Sequence, residues 1–238
     1  IDHISDINMP LTEHGRRYLL REGIRPETVI KTGSTMAEVL DYYRPGIERS
    51  TVLDELGLRN RGYFIVSAHR EENVDYEANL SNLLDTLDAL VDEYGMDVIV
   101  STHPRTRARL DALGRTTNNE KVRFMKALGF FDYVKLQLHA FCIVSDSGTI
   151  TEEASLLDLP AVTVREAHER PEGMDEGTLV MSGFKKERAL QSVRLVMSQY
   201  AERKSPNERL MRVVGDYDAG AVSIKVARII MSYVDYVN

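Results

Sequence analysis

The sequence predicts a doubly wound α/β fold built on a parallel sheet, and three observations carry that expectation. Short apolar runs alternate along the chain with longer segments in which apolar residues recur at helical spacing. The polar and titratable residues of interest gather just after those runs, at the carboxyl ends of the expected strands, where an open α/β sheet binds its ligand. The chain has 238 residues, 43% of them hydrophobic, enough for one good-sized core and part of a second.

The first sixty residues stand outside the repeat. They read as a helix from Leu11 to Arg21 stopped by Gly23, a short strand Val29-Ile30-Lys31, then Gly33 and a helix from about Thr35 to Tyr43, with Pro45-Gly46 as punctuation. From Gly62 the alternation begins. Tyr63 to Val66 is a strand, Leu80, Leu83, Leu84, Leu87 and Val91 mark a helix, and Val98 to Val100 is the next strand, completing a βαβ unit. A helix from about Arg105 to Leu113, a strand Val122 to Met125, a helix from about Phe131 to His139 and a strand Phe141 to Val144 continue it. A helix Thr149 to Leu157 leads to the strand Ala161 to Val164, and a sixth strand, Thr178 to Met181, precedes a helix Glu187 to Tyr200. Ala219 to Val237 reads as a long amphipathic helix that needs a surface to cover.

Composition excludes several function classes. A net charge of −7 repels nucleic acid and anionic membrane surfaces, so neither is expected as a partner. No apolar run approaches the roughly 20 residues of a membrane span, and the opening Ile1-Asp2-His3 lacks the features of a signal peptide. The single cysteine, Cys142, has no internal disulfide partner and sits mid-strand as a small buried hydrophobe, so the expected setting is cytoplasmic. The chain opens on Ile rather than Met, so this edge is expected to be a processed or artificial one rather than a normal translation start. Neither GxGxxG nor GxxxxGK[ST] is present. The histidines and the cysteine have no metal-binding spacing, so no metal and no cofactor are expected.

The most informative stretch is Ser145-Asp146-Ser147-Gly148-Thr149-Ile150-Thr151-Glu152-Glu153-Ala154, between two apolar strands. Ser147, Gly148 and Thr149 can offer consecutive N–H donors and two hydroxyls to a diphosphate at a helix N-terminus, and Glu152 or Glu153 can accept from a ribose diol. The same residues also fit an N-capped helix that holds no ligand. His69-Arg70-Glu71-Glu72-Asn73 follows the first strand directly, placing an imidazole able to protonate a leaving oxygen beside a guanidinium suited to phosphate; a solvated charged loop is the alternative. His103-Pro104-Arg105 repeats the arrangement at the second strand end, although Pro at a first helical turn has a structural reason of its own. The charged loop Arg165 to Gly173, at the end of the fifth strand, favours a site.

Taken together, Ser67-Ala68-His69-Arg70-Glu71-Glu72-Asn73-Val74-Asp75, His103-Pro104, Ser145 to Ala154, and His168-Glu169-Arg170-Pro171-Glu172-Gly173 resemble the non-hydrolysing UDP-N-acetylglucosamine 2-epimerases, from Asp2 to about Val237. The resemblance implies the C-terminal two-thirds of a protein with two Rossmann-like domains in a GT-B-type arrangement. Residues 1–45 would be a remnant of the N-terminal domain and crossover, 46–215 the UDP-binding domain, and 216–238 a helix packing back on the N-terminal domain. It further implies a reaction that eliminates UDP to leave a 2,3-unsaturated (glycal-type) sugar and re-adds it after C2 is reprotonated on the opposite face. The carboxylates that move the C2 proton would lie upstream of Ile1.

Carried over residue by residue, the resemblance gives His69 and Arg170 catalytic roles. UDP would be bound by His69, His103, Phe130, Tyr133, Ser147, Gly148, Thr149 and Glu153. Ser147 and Gly148 would hold the diphosphate, Glu153 the ribose, and the Phe130 to Tyr133 stretch the uracil side. The wording of His168 to Gly177 and Ser101 to Thr106 looks closest to the branch acting on UDP-2-acetamido-2,6-dideoxyhexoses, such as the enzymes forming UDP-N-acetyl-L-fucosamine for capsule or O-antigen. The expected partners are UDP and a UDP-N-acetylhexosamine, with a homodimer in the complete enzyme. Two rivals stand beside this reading. One is a nucleotide-binding fragment without catalysis, the other a glycosyltransferase on the same fold.

Overall fold

The computed structural model describes residues 1–70, 75–114, 117, 119–167, 169–205 and 208–237. Six parallel strands form one sheet: β1 (Tyr63–Ser67), β2 (Asp97–Thr102), β3 (Val122–Lys126), β4 (Cys142–Ser145), β5 (Ala161–Thr163) and β6 (Val180–Met181), in the order β3-β2-β1-β4-β5-β6. The register runs Phe64 opposite Val98 on one side and Cys142 on the other, Val66 opposite Val100 and Val144. Strand order reverses between β1 and β4, so the crevice at their carboxyl ends is where such a sheet binds ligand.

Both faces are covered, which is why the strands read as unbroken apolar runs rather than alternating ones. Phe64, Val66, Val98, Val100, Val144 and Val162 face α4 (Glu77–Tyr94) and α9 (Lys186–Ala201), which bury Leu84, Leu87, Val193 and Val196 against them. Tyr63, Ile65, Ile99 and Ile143 face the other way, onto Leu136 of α6 (Phe130–His139) and Ile150 and Ala154 of α7 (Ile150–Leu157). Cys142 is the first residue of β4 rather than a mid-strand one, yet it is wholly buried, and burial pushes its thiol up to about 12. The shorter helix α5 (Pro104–Leu113) follows β2.

The first sixty residues differ from the sequence expectation in three places. After α1 (Glu13–Arg21), whose Thr12 side chain caps the N–H of Gly15, the expected strand at 29–31 is a single bridge, Asn8 to Val29. The next pairing is Thr32 N–H to the carbonyl of Pro10, and Pro10 has no N–H to return, so the ladder stops. The helix expected to end at Tyr43 runs from Met36 to Arg49 as α2, straight through Pro45 and Gly46. Packing overrides the breakers: Leu40 and Ile47 are buried with Val134, and a Cβ on Gly46 would come within 2.9 Å of the Phe131 ring, so only glycine allows that approach. A short helix α3 (Val52–Leu56), ended by Gly57 at φ 66°, was not expected.

The short α8 (Pro171–Asp175) follows β5, and α10 (Val222–Val237) begins just past Gly220, later than the expected Ala219. It lies on the N-terminal segment. Ser223 hydrogen-bonds Glu38 through both its N–H and hydroxyl, Lys225 reaches the Thr32 carbonyl at 3.2 Å, and the Tyr233 hydroxyl donates to the Glu27 carbonyl. Gly33, at φ 92°, has no room for a side chain because Ala219 stands where its Cβ would be. Among the described residues, no helix is long and apolar enough to cross a membrane.

Candidate functional site

The carboxyl ends of β1 and β4 meet in a crevice, and the turns that leave them are tied together by one carboxylate. Asp146, wholly buried, accepts the backbone N–H groups of both His69 and Arg70 at 2.9 Å through Oδ2, and its Oδ1 lies 3.3 Å from His69 Nδ1. The Thr106 hydroxyl donates to the Ala68 carbonyl at 2.8 Å, fixing the same turn to the first helical turn after β2. His69 is therefore held in place while its ring stays 39% exposed.

The next residues lead from β4 into α7. Ser147 N–H donates to Ser145 Oγ, and Ser147 Oγ accepts from Thr149 N–H at 3.3 Å and lies 2.9 Å from the Thr149 hydroxyl. These local bonds shape the turn into α7. A Cβ on Gly148 would stand 3.5 Å from Arg170 Nε and 3.5 Å from an Arg70 terminal nitrogen. Two guanidinium groups, from the ends of β1 and β5, thus converge over a glycine at a helix N-terminus, where the helix dipole and both cations attract the same anion.

The two glutamates one turn in have different partners. Glu152, whose side chain is 4% exposed, pairs with Arg170 at 3.0 Å and accepts from the Ser34 hydroxyl. Glu153 accepts from Gln137 Nε2 at 2.5 Å, and burial raises its carboxyl above the usual range against the opposing bonds from Gln137 and Thr149. Tyr133 stands beside it, its hydroxyl against Ser67 and Ser145 and its ionisation pushed well up, first by burial and then by the Glu153 charge.

The structure thus brings His69, Tyr133, Ser147, Gly148, Thr149, Glu153 and Arg170 together around the β1 and β4 ends. His103 joins them from the β2 end, its ring centroid 5.8 Å from that of His69. Phe130 is set apart in an exposed aromatic group with Phe131 and Tyr43. Glu71, Glu72, Asn73, Val74 and His168 lie outside the described residues. Asp146, inside the Ser145 to Ala154 motif, has no role in the sequence-based assignment, and Arg70, whose guanidinium suits phosphate, stands outside the set of UDP-binding residues that the resemblance gives. Among the described residues no cluster of histidine, cysteine and carboxylates could hold a metal ion.

Comparison with known proteins decides the family. The family model for UDP-N-acetylglucosamine 2-epimerase matches residues 1–231. The chain belongs to that family. Among relatives, the UDP-N-acetylglucosamine 2-epimerase of Methanocaldococcus jannaschii is 29% identical over 231 residues, which cover 90% of this chain and 62% of the relative. The structure of the Rickettsia bellii UDP-N-acetylglucosamine 2-epimerase superposes with a TM-score of 0.89 at 53% identity, over 100% of this chain and 62% of that one. The M. jannaschii enzyme solved in complex with UDP-GlcNAc and UDP gives 0.82 at 27% identity, over 96% and 62%. This family member therefore spans about 62% of the length of those relatives.

Proposed function

We propose that this chain is the UDP-binding portion of a UDP-N-acetylhexosamine 2-epimerase, inverting C2 by elimination and re-addition of UDP. The observation that carries the reading is the convergence of Arg70 and Arg170 on Gly148 at the start of α7. In this reading the diphosphate rests at Ser147, Gly148 and Thr149 between the two guanidinium groups. It is met by the two hydroxyls and the N–H of Gly148 rather than by three consecutive N–H groups, because the N–H of Ser147 donates to Ser145 Oγ and that of Thr149 to Ser147 Oγ. Glu153 holds the ribose, the Phe130 to Tyr133 stretch serves the uracil side with Phe130 out in the exposed aromatic group, and His103 binds UDP from the β2 end beside His69. Elimination breaks the C2–H and C1–O bonds, so the double bond forms between C1 and C2 rather than between C2 and C3, and negative charge gathers on the departing phosphate. Arg70, Arg170 and the helix N-terminus stabilise that charge, and His69 protonates the oxygen that carries it. Re-addition runs the same steps backwards, after C2 has taken a proton on its other face.

The division into residues 1–45, 46–215 and 216–238 belongs to this reading, supported by the bonds of α10 to residues between Glu27 and Glu38. So do a cytoplasmic setting, a homodimer of the complete enzyme, a role in capsule or O-antigen synthesis, and a UDP-2-acetamido-2,6-dideoxyhexose substrate, the last on the wording of the motifs alone. The residues that move the C2 proton are placed upstream of Ile1. The chain's 62% share of its relatives' length favours a piece that binds without turning over. Replacing Ser147→Ala together with Glu153→Ala should weaken UDP binding at least about tenfold, each lost bond being worth about 1 to 3 kcal/mol. Unchanged affinity by calorimetry would put the site elsewhere. Incubated with UDP-GlcNAc in deuterated water, the chain alone should leave C2 unexchanged. Exchange would overturn the binding-only part, and transfer of sugar to an acceptor would favour the glycosyltransferase reading.

A further inference from the structure

Asp146 has no part in the roles assigned so far, yet it is the most completely enclosed charged side chain of the crevice. One of its oxygens is committed to the backbone, holding the N–H groups of His69 and Arg70 at 2.9 Å. The other faces His69 Nδ1 at 3.3 Å. An ionised carboxylate only accepts hydrogen bonds, so Nδ1 is compatible with this neighbour only when it carries a hydrogen. The five-membered ring then turns Nε2 away from Asp146, to the exposed side of the imidazole.

We propose that Asp146 is a positioning residue that fixes His69 as the Nδ1–H tautomer, so that every proton His69 exchanges passes through Nε2. The inference rests on the reading of His69 as the residue that serves the departing phosphate. In the neutral ring Nε2 is then a lone pair facing the crevice; in the protonated ring it becomes an N–H donor while Nδ1 keeps its hydrogen toward Asp146. No reorientation of the ring is needed between elimination and re-addition. The 3.3 Å separation is long for a hydrogen bond, as such contacts commonly are before ligand tightens them. Among the described residues, His103 stands 5.8 Å from the ring, and the adjoining Arg70 pairs with Glu169 at 3.4 Å. Neither is a carboxylate on Nδ1, so the tautomer falls to Asp146.

Nitrogen-15 NMR of the histidine rings in this chain reads the tautomer without nucleotide or turnover. At alkaline pH, where imidazoles are neutral, His69, assigned by its loss in His69→Gln, should be the Nδ1–H form. In Asp146→Asn the side-chain oxygen still accepts the two backbone N–H groups, but the amide NH₂ now faces Nδ1, and the majority tautomer should reverse to Nε2–H. An Nε2–H wild-type ring, or a tautomer unmoved by Asp146→Asn with the amide signals of residues 67–70 retained, would overturn the proposal. If Asp146→Asn does not fold, the wild-type spectrum decides alone. UDP affinity measured on the same samples keeps the two readings apart. An Nδ1–H ring in a chain that does not bind UDP would sink the functional reading and leave the role of Asp146 standing.

Discussion

Gly148→Ala separates the anion site from the capped turn that the same sequence could have encoded. The backbone of Gly148 is not left-handed, so alanine is allowed there. The added methyl would lie 3.5 Å from Arg170 Nε and 3.5 Å from the Arg70 guanidinium, ordinary contact distances at which nothing need shift. The folded chain should tolerate the change or gain up to about 1 kcal/mol, because alanine restricts the unfolded chain more than glycine does. Binding is another matter. A phosphate oxygen shared by the two guanidinium groups sits about 2.7 to 2.9 Å from each, in the space that the methyl would fill. Losing one charge-assisted bond costs about 1.5 to 3 kcal/mol, which is about a 10- to 150-fold rise in the UDP Kd. Calorimetry gives the Kd and thermal unfolding gives the Tm. A lowered Tm with UDP affinity intact would refute the reasoning, since the glycine would then serve the turn and not the ligand.

Two further outcomes follow from the buried carboxylates. Arg170→Met leaves Glu152, among the described residues, with the Ser34 hydroxyl alone and should cost about 2 kcal/mol of stability, less than a fully enclosed pair because the arginine is 23% exposed. Adding Glu152→Gln should recover most of that in denaturant unfolding, and no recovery would show that Arg170 stabilises by packing alone. Glu153, whose carboxyl burial raises above its reference of 4.5, binds a proton more readily folded than unfolded. Its contribution to stability therefore falls as pH rises through 4.5 toward the raised value, and Glu153→Gln should gain on the wild type over that interval. A stability difference independent of pH would show that Glu153 titrates as it does in the unfolded chain.

The sheet was legible because its strands are buried on both faces, which makes Tyr63 to Val66 or Cys142 to Val144 conspicuous in any α/β reading. The alternation also implied where a ligand would sit, so His69, Ser147, Gly148 and Arg170 could be named from their position after a strand. What local sequence does not carry is pairing at a distance. Asp146 finds His69 across 77 residues, and Ser34 finds Glu152 across 118. Nothing within either segment signals the partner. The continuation of α2 through Pro45-Gly46 has the same origin: both residues break helices by their own preferences, and the reason they do not lies in Val134 and Phe131, on another helix.

The adjoining glutamates illustrate how the fold bears on a choice that composition leaves open. Either Glu152 or Glu153 could have faced a sugar diol, since both stand in the first turn of α7 and both would complement its dipole. Successive helical residues point about 100° apart, and here the two directions lead to different neighbours. Glu152 has one oxygen on the Ser34 hydroxyl and the other on Arg170, so both are occupied and the side chain joins the N-terminal segment to the guanidinium that overlooks Gly148. Glu153 turns toward Gln137 and Tyr133, on the side where the ends of β1 and β4 open. A diol reaching Glu153 would add donors to a carboxylate whose charge is poorly solvated, the circumstance in which a hydrogen bond to a charged acceptor counts most. A diol at Glu152 would have to displace an ion pair first. What each side chain already holds therefore favours Glu153 for the diol in the proposed site.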